Sequence, residues 1–123
     1  MSRWSFVPSV EAVLADIRFY PYPMPCSGRE PVQYRQWVAK HGRMLLNRMG
    51  LPMVQYQAGL NLVRAAGAVF QRYQGEDLAR ELELLWLKWD GKGMGAELVR
   101  AITCGLYRAM VGRPEVEERH AMR

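Results

Sequence analysis

Residues 31–75 read PVQYRQWVAK HGRMLLNRMG LPMVQYQAGL NLVRAAGAVF QRYQG. Pro31 fits the first turn of a helix, where its missing N–H costs nothing. Tyr34, Trp37, Val38, His41, Met44, Leu45 and the Arg48–Met49 pair then recur in steps of three and four, the period of one helix face. Gln36, Lys40, Arg43 and Asn47 form a polar stripe on the opposite side. Gly50 ends this helix after Met49, as a left-handed cap does. Pro52 opens a second helix, reaching to about residue 74, in which Tyr56, Leu60, Val63, Gly67 and Phe70 keep a 4-3-4-3 spacing. Ala58, Leu62, Ala65, Ala66, Val69 and Tyr73 give it a second apolar face, the pattern expected of a central helix in a bundle. Gly59 and Gly67 each weaken a helix by about 1 kcal/mol relative to Ala, so they read as places of close helix approach, with a break at Gly67 the alternative.

Working outward, Ser9 caps a helix running to about Tyr20, with Val10, Val13, Leu14 and Ile17 on one face. The alternating prolines of Tyr20-Pro21-Tyr22-Pro23-Met24-Pro25 forbid helix and favour an extended strap over residues 21–30. On the other side, Glu76 and Asp77 suit the positive end of a new helix carrying Leu78, Leu82, Leu85, Trp86 and Trp89. Asp90-Gly91-Lys92-Gly93 is a turn. A last helix from about Met94 to Val111 turns Leu98, Ile102, Gly105, Leu106 and Ala109 inward and Arg100 and Arg108 outward, and Gly112 and Pro114 stop it. The expectation is an all-α fold: a single compact bundle of about five helices over residues 1–123, with a mobile tail at 112–123.

At 123 residues, half of them apolar, the chain is long enough for one core and too apolar to be mostly disordered. No apolar run approaches the roughly 18–20 residues that span a bilayer. The opening MSRWSFVPSV has no apolar stretch of signal-peptide type, so a cytoplasmic location is expected and no membrane partner. Cys26 and Cys104 make neither a disulfide framework nor a metal knuckle.

Seventeen basic residues against twelve acidic ones leave a net charge of +5, and fourteen of the basic residues are Arg. Arg presents a planar fork suited to phosphate. A GC-rich coding sequence raises Arg with no functional reason, so placement carries more weight than number. Residues 31–75 hold Arg35, Lys40, Arg43, Arg48, Arg64 and Arg72 and no carboxylate, where ordinary composition gives about five. The acids collect at 76–97 and at Glu115, Glu117 and Glu118. Such asymmetry points to an anionic partner, or to basic faces meeting acidic ones in self-association.

The inventory of chemical groups argues against catalysis. His41 sits on the apolar side of its helix and His120 in the tail, neither with a ligand partner at metal spacing. Glu81 and Glu83 point to different sides of a helix, Cys104 reads as core, and no serine stands in a nucleophile elbow. No enzyme, metal or cofactor is expected. Gly91-Lys92-Gly93-Met94-Gly95 before a helix could offer amides to a phosphate, but lacks the strand and spacing of a nucleotide-binding loop; a helix–helix turn is the simpler use. Polar residues (Gln36, Asn47, Gln55, Gln57, Asn61) alternate with the basic ones, a surface suited to sequence-tolerant phosphate and sugar contacts.

LPMVQYQAGL at 51–60 resembles a motif of the small helical subunit of type III CRISPR effector complexes, where Leu-Pro opens a helix and Gly-Leu follows about seven residues on. The helix at 31–49, Trp86-Leu87 and Tyr107-Arg108 stand where that family has a basic helix, a Trp-Leu and a Tyr-Arg. The chain departs from it in its N-terminal helix and strap and in its acidic-basic tail. The resemblance implies a non-catalytic subunit of a ribonucleoprotein complex in antiviral defence. Its copies would stack head to tail and contact other subunits, lining the guide RNA and its paired target. Lys40, Arg43, Arg48 and Arg64, with Gln36 and Asn47, are the expected backbone contacts, centred on Lys40 and Arg43 with Arg64 as nearest support. The competing reading is a helical protein–protein adaptor without nucleic acid, docking through Met44, Met49, Met53 and the aromatics at 20–23. A third, an orphan enzyme, would require a bound cofactor to supply the chemistry.

Overall fold

The computed structural model describes residues 4–113 and 116, and their secondary structure is five helices. These are α1 (Val10–Phe19), α2 (Pro31–Met49), α3 (Met53–Arg72), α4 (Gly75–Trp89) and α5 (Ala96–Val111). The boundaries follow local chemistry. Ser9 accepts a hydrogen bond from the Ala12 amide, and Gly50 and Gly112 end α2 and α5 in the left-handed conformation, at φ 68° and 61°. At the start of α2, the Glu30 carboxylate accepts from the Val32 and Gln33 amides. The last acid before the carboxylate-free stretch thus serves as its helix cap.

The five helices enclose one hydrophobic core. Its central element is α5, which packs against all four others. This corrects the expectation that α3 is central. Residues 101–107 (AITCGLY) are buried without interruption, whereas α3 leaves Met53 and Val54 over 70% exposed and turns Asn61, Arg64 and Gln71 to solvent. The run between Arg100 and Arg108 is uncharged, but so is the equally long run between Arg64 and Arg72 in α3, so packing decides which helix is enclosed. A helix buried all round has nowhere to place a charge without a partner. Thr103, whose hydroxyl is buried along with that of Tyr107, accepts the Trp86 indole N–H at 2.6 Å and donates back toward the carbonyls of Val99 and Arg100.

α3 runs unbroken through Gly67. The glycines sit where helices touch: a Cβ on Gly67 would lie 2.6 Å from Val38 Cγ1, and one on Gly59 2.9 Å from Leu46 Cδ2. The proline strap lies on its own bundle, with Met24 and Cys26 buried in the core and Pro21 against the start of α4. Both cysteines are free thiols. The N-terminal segment is also folded in. Trp4 donates from Nε1 to the Met49 carbonyl, one of the acceptors that α2 leaves without an intrahelical partner.

The fold reaches further than the tail reading placed it. Asp16, on α1 and 2% exposed, accepts from Tyr107 (2.7 Å) and from Arg113 Nη2 and Nε (2.7 and 3.0 Å). Arg113 also stacks over Tyr20, and Val116 is fully buried. A buried carboxylate needs these donors, so it holds the chain just past α5 in place. The rest of the expected tail, residues 114, 115 and 117–123 with His120, lies outside the described residues.

Candidate nucleic-acid interface

α2 and α3 form an antiparallel hairpin joined at Gly50-Leu51-Pro52. Its contact line is set by small residues facing large ones: Gly42 against Val63, Leu46 against Gly59, Val38 against Gly67. The Tyr34 hydroxyl, its pKa raised first by burial, donates to the Gly67 carbonyl at 2.7 Å. Each helical residue turns about 100° round the axis. Arg43 follows Gly42 by one position and Arg64 follows Val63 by one. In an antiparallel pair these equal steps bring both side chains to the same side of the hairpin. The opposite side is occupied by α5, where Ile102 lies near Gly59 and Leu45 near Gly105.

The same rotation places Gln36, seven residues before Arg43, and Asn47, four after it, on that outer face. Gln57, seven before Arg64, joins them from α3. Lys40 sits further round, at the outer edge of α2. All six side chains are exposed. Among the described residues, no carboxylate pairs with Lys40, Arg43 or Arg64. Gln36, Lys40, Arg43, Asn47 and Arg64 therefore share one cationic, hydrogen-bonding surface.

Arg48 does not belong to it. Five positions beyond Arg43 and seven beyond His41, it lies on the His41 side of α2. There its guanidinium rests 4.0 Å above the Phe6 ring. With Phe6, His41, Met44 and Arg108 it lines a groove of about 210 Å³ between α2 and α5. The seven-residue spacing from His41 already carried this information. Phe6 and Arg108, by contrast, reach the groove only through tertiary packing.

The remaining candidates divide the same way. His41 packs edge-on to Trp37, with centroids 4.7 Å apart, and its pKa is lowered by burial first and by Lys40 second, both of which favour the neutral ring. Burial pushes the Cys104 thiol up to about 12, far from a reactive thiolate. In the glycine turn the Gly91 amide donates to the Met94 carbonyl and the Lys92 amide to the Trp89 carbonyl, so those donors are already used inside the turn. Among the described residues, no three His, Cys, Asp or Glu side chains gather as a metal would require. The acids lie elsewhere: Glu76 pairs with Arg18 of α1 at 2.9 Å and Asp77 with Arg80. The arginine hydrogen bond holds the Glu76 carboxyl below its usual range.

These features define a class, a five-helix bundle whose α2–α3 hairpin carries a carboxylate-free cationic face. No protein-family model, curated protein or solved structure matches the chain. No described helix is long and apolar enough to cross a membrane.

Proposed function

We propose that the chain is a non-catalytic structural subunit of a ribonucleoprotein complex that holds RNA, or a duplex containing RNA, by its phosphate backbone. The observation that carries this reading is the outer face of the α2–α3 hairpin. Lys40, Arg43 and Arg64 stand there among Gln36, Asn47 and Gln57, with no carboxylate on either helix. Cations interleaved with amides suit phosphate and sugar contacts that do not read bases. The resemblance of residues 51–60 to the small subunit of type III CRISPR effectors agrees with such a role. It adds neighbouring subunits, including stacked copies of the chain, as partners. The adaptor reading draws on exposed Met44, Met53 and Tyr22, while Met49, which it also counts, is buried.

The test is fluorescence anisotropy with a short RNA duplex across about 50–200 mM salt. Three phosphate contacts give a log–log slope of about −2 to −3. Lys40→Glu with Arg43→Glu weakens binding at least tenfold at the low-salt end and flattens the slope by about 2. An affinity unchanged by this pair, or no retention of the wild-type chain on immobilised RNA or heparin, overturns the reading in favour of the adaptor.

A further inference from the structure

Met53, at the start of α3, is 71% exposed, and among the large apolar side chains of the hairpin only Val54 beside it is more open. Helix geometry fixes where Met53 stands. It precedes Arg64 by eleven residues, three full turns and about 20°, so it shares the outer face with Arg64 and Gln57. The Gln57 amide donates to the Met53 sulfur at 3.8 Å, as two side chains four apart on one face can. Tyr56 follows Met53 by three positions, the other spacing that makes helix neighbours, and is half-buried against the core. The cationic face thus ends, beside the Gly50-Leu51-Pro52 turn, in an apolar ledge of Met53 and Tyr56. Arg43 lies level with Arg64, since Gly42 meets Val63, and both cations stand about 16 Å along the hairpin from Met53. Asn47 and Gln57 fill the interval.

The surroundings of this ledge constrain what covers it. Residues 31–75 contain no Asp or Glu, so cations and amides of the same two helices frame it. A basic partner is repelled there, and a polyanion is drawn by the cations but not by the sulfur or the ring. Nucleic acid supplies both chemistries: phosphates outside and, at a duplex end, the whole flat face of the last base pair. Inside the duplex that face is hidden by stacking. We infer that Met53 and Tyr56 receive the terminal base pair of the bound RNA, so that the chain prefers the open end of a duplex to its interior. Bases stack on aromatic rings whatever their sequence, and the polarizable thioether of methionine adapts to a flat apolar surface. This preference rests on the backbone reading above and gives the face a register. Phosphate contacts are the same at every step of a uniform duplex, whereas a ledge that needs the face of a base pair is met only at an end.

The experiment compares, by anisotropy at fixed salt, a blunt RNA duplex with the same duplex closed at both ends by short loops that cover the terminal pairs. The wild-type chain binds the open duplex at least about fivefold more tightly, the low end for one stacked base. Met53→Gln, a change at an exposed position, brings the ratio of the two affinities to near one. Met53→Leu, which keeps an apolar side chain, retains most of the preference. Lys40→Glu with Arg43→Glu weakens binding of both RNAs and leaves the ratio intact. Equal binding of the two RNAs by the wild-type chain overturns the inference while the backbone reading stands, and the ledge then passes to a protein neighbour. A preference that survives Met53→Gln, or that Met53→Leu loses just as fully, also overturns it. If the wild-type chain binds neither RNA, the backbone reading fails and the end preference fails with it.

Discussion

A methyl group on Gly67 would stand 2.6 Å from Val38 Cγ1, well inside the 3.5–4.0 Å at which carbon atoms attract. Two effects oppose each other at this position. Alanine is the better helix former by about 1 kcal/mol, which favours Gly67→Ala. The overlap forces Val38, itself buried, off its place or the helices apart, which costs about 1–3 kcal/mol. The steric term is the larger because the neighbour is a stiff β-branched side chain with no room to swing. Gly67→Ala therefore lowers stability in urea denaturation by about 1–2 kcal/mol. Val38→Ala alone also destabilises, through lost burial, yet the double variant loses clearly less than the sum of the two. Strict additivity would mean that Gly67 is not a packing glycine. At Gly28, where an added Cβ meets nothing within 4 Å, the same substitution leaves stability nearly unchanged.

Helix ends were legible because their signals are local. Ser9, Pro31, Gly50, Gly75 and Gly112 punctuate the chain through the conformations that each allows or forbids, and the elements begin and end within a residue or two of them. The rank of the helices was not legible, since α3 and α5 both look apolar on two sides and only packing decides which is enclosed. Nor was the clasp at Asp16. A lone acid between Ala15 and Ile17 looks like surface, and its partners lie 91 and 97 positions away. That clasp ties α1 to the end of α5, and it behaves as a unit. Asp16→Ala leaves a partly buried Arg113 without its carboxylate and the Tyr107 O–H without its acceptor, although Arg113 still donates to the Tyr107 oxygen at 2.6 Å, costing about 3 kcal/mol. Tyr107→Phe costs about 1–2 kcal/mol. Their combination costs less than the sum of the two, because after Asp16→Ala the Tyr107 O–H has already lost its acceptor and keeps only the hydrogen bond from Arg113. Additive losses in a double-mutant cycle would show that the hydrogen bond and the ion pair act separately.

At the scale of the molecule, the helix buried all round, α5, is not one of the two that carry the cationic face, and this explains what could be read of the candidate site. Gln36, Lys40, Arg43 and Asn47 are spaced three and four apart, so helical periodicity alone gathers them. Arg64 joins only through the antiparallel register of α3, and Arg48 leaves because it follows the His41 line; that division depends on where α5 packs. The separation has a measurable consequence. Amides of residues 102–106 lie in the helix that touches all the others, so they exchange with solvent only on global unfolding and report the full stability. The first turn of α2 has exposed Val32 and Gln33 and a cap from Glu30 alone, so its amides exchange through smaller local openings. A ligand that binds only the folded chain raises global stability by mass action, about 2.7 kcal/mol at one hundred times its dissociation constant. RNA duplex at that level should therefore slow exchange at residues 102–106 by about a hundredfold, although none of them faces the hairpin surface. Lys40→Glu with Arg43→Glu should abolish the slowing at the same RNA concentration. Protection that grew on α2 while residues 102–106 stayed unchanged would mean that RNA meets a partly opened chain, and the hairpin face would then not be the surface of the folded bundle that holds it.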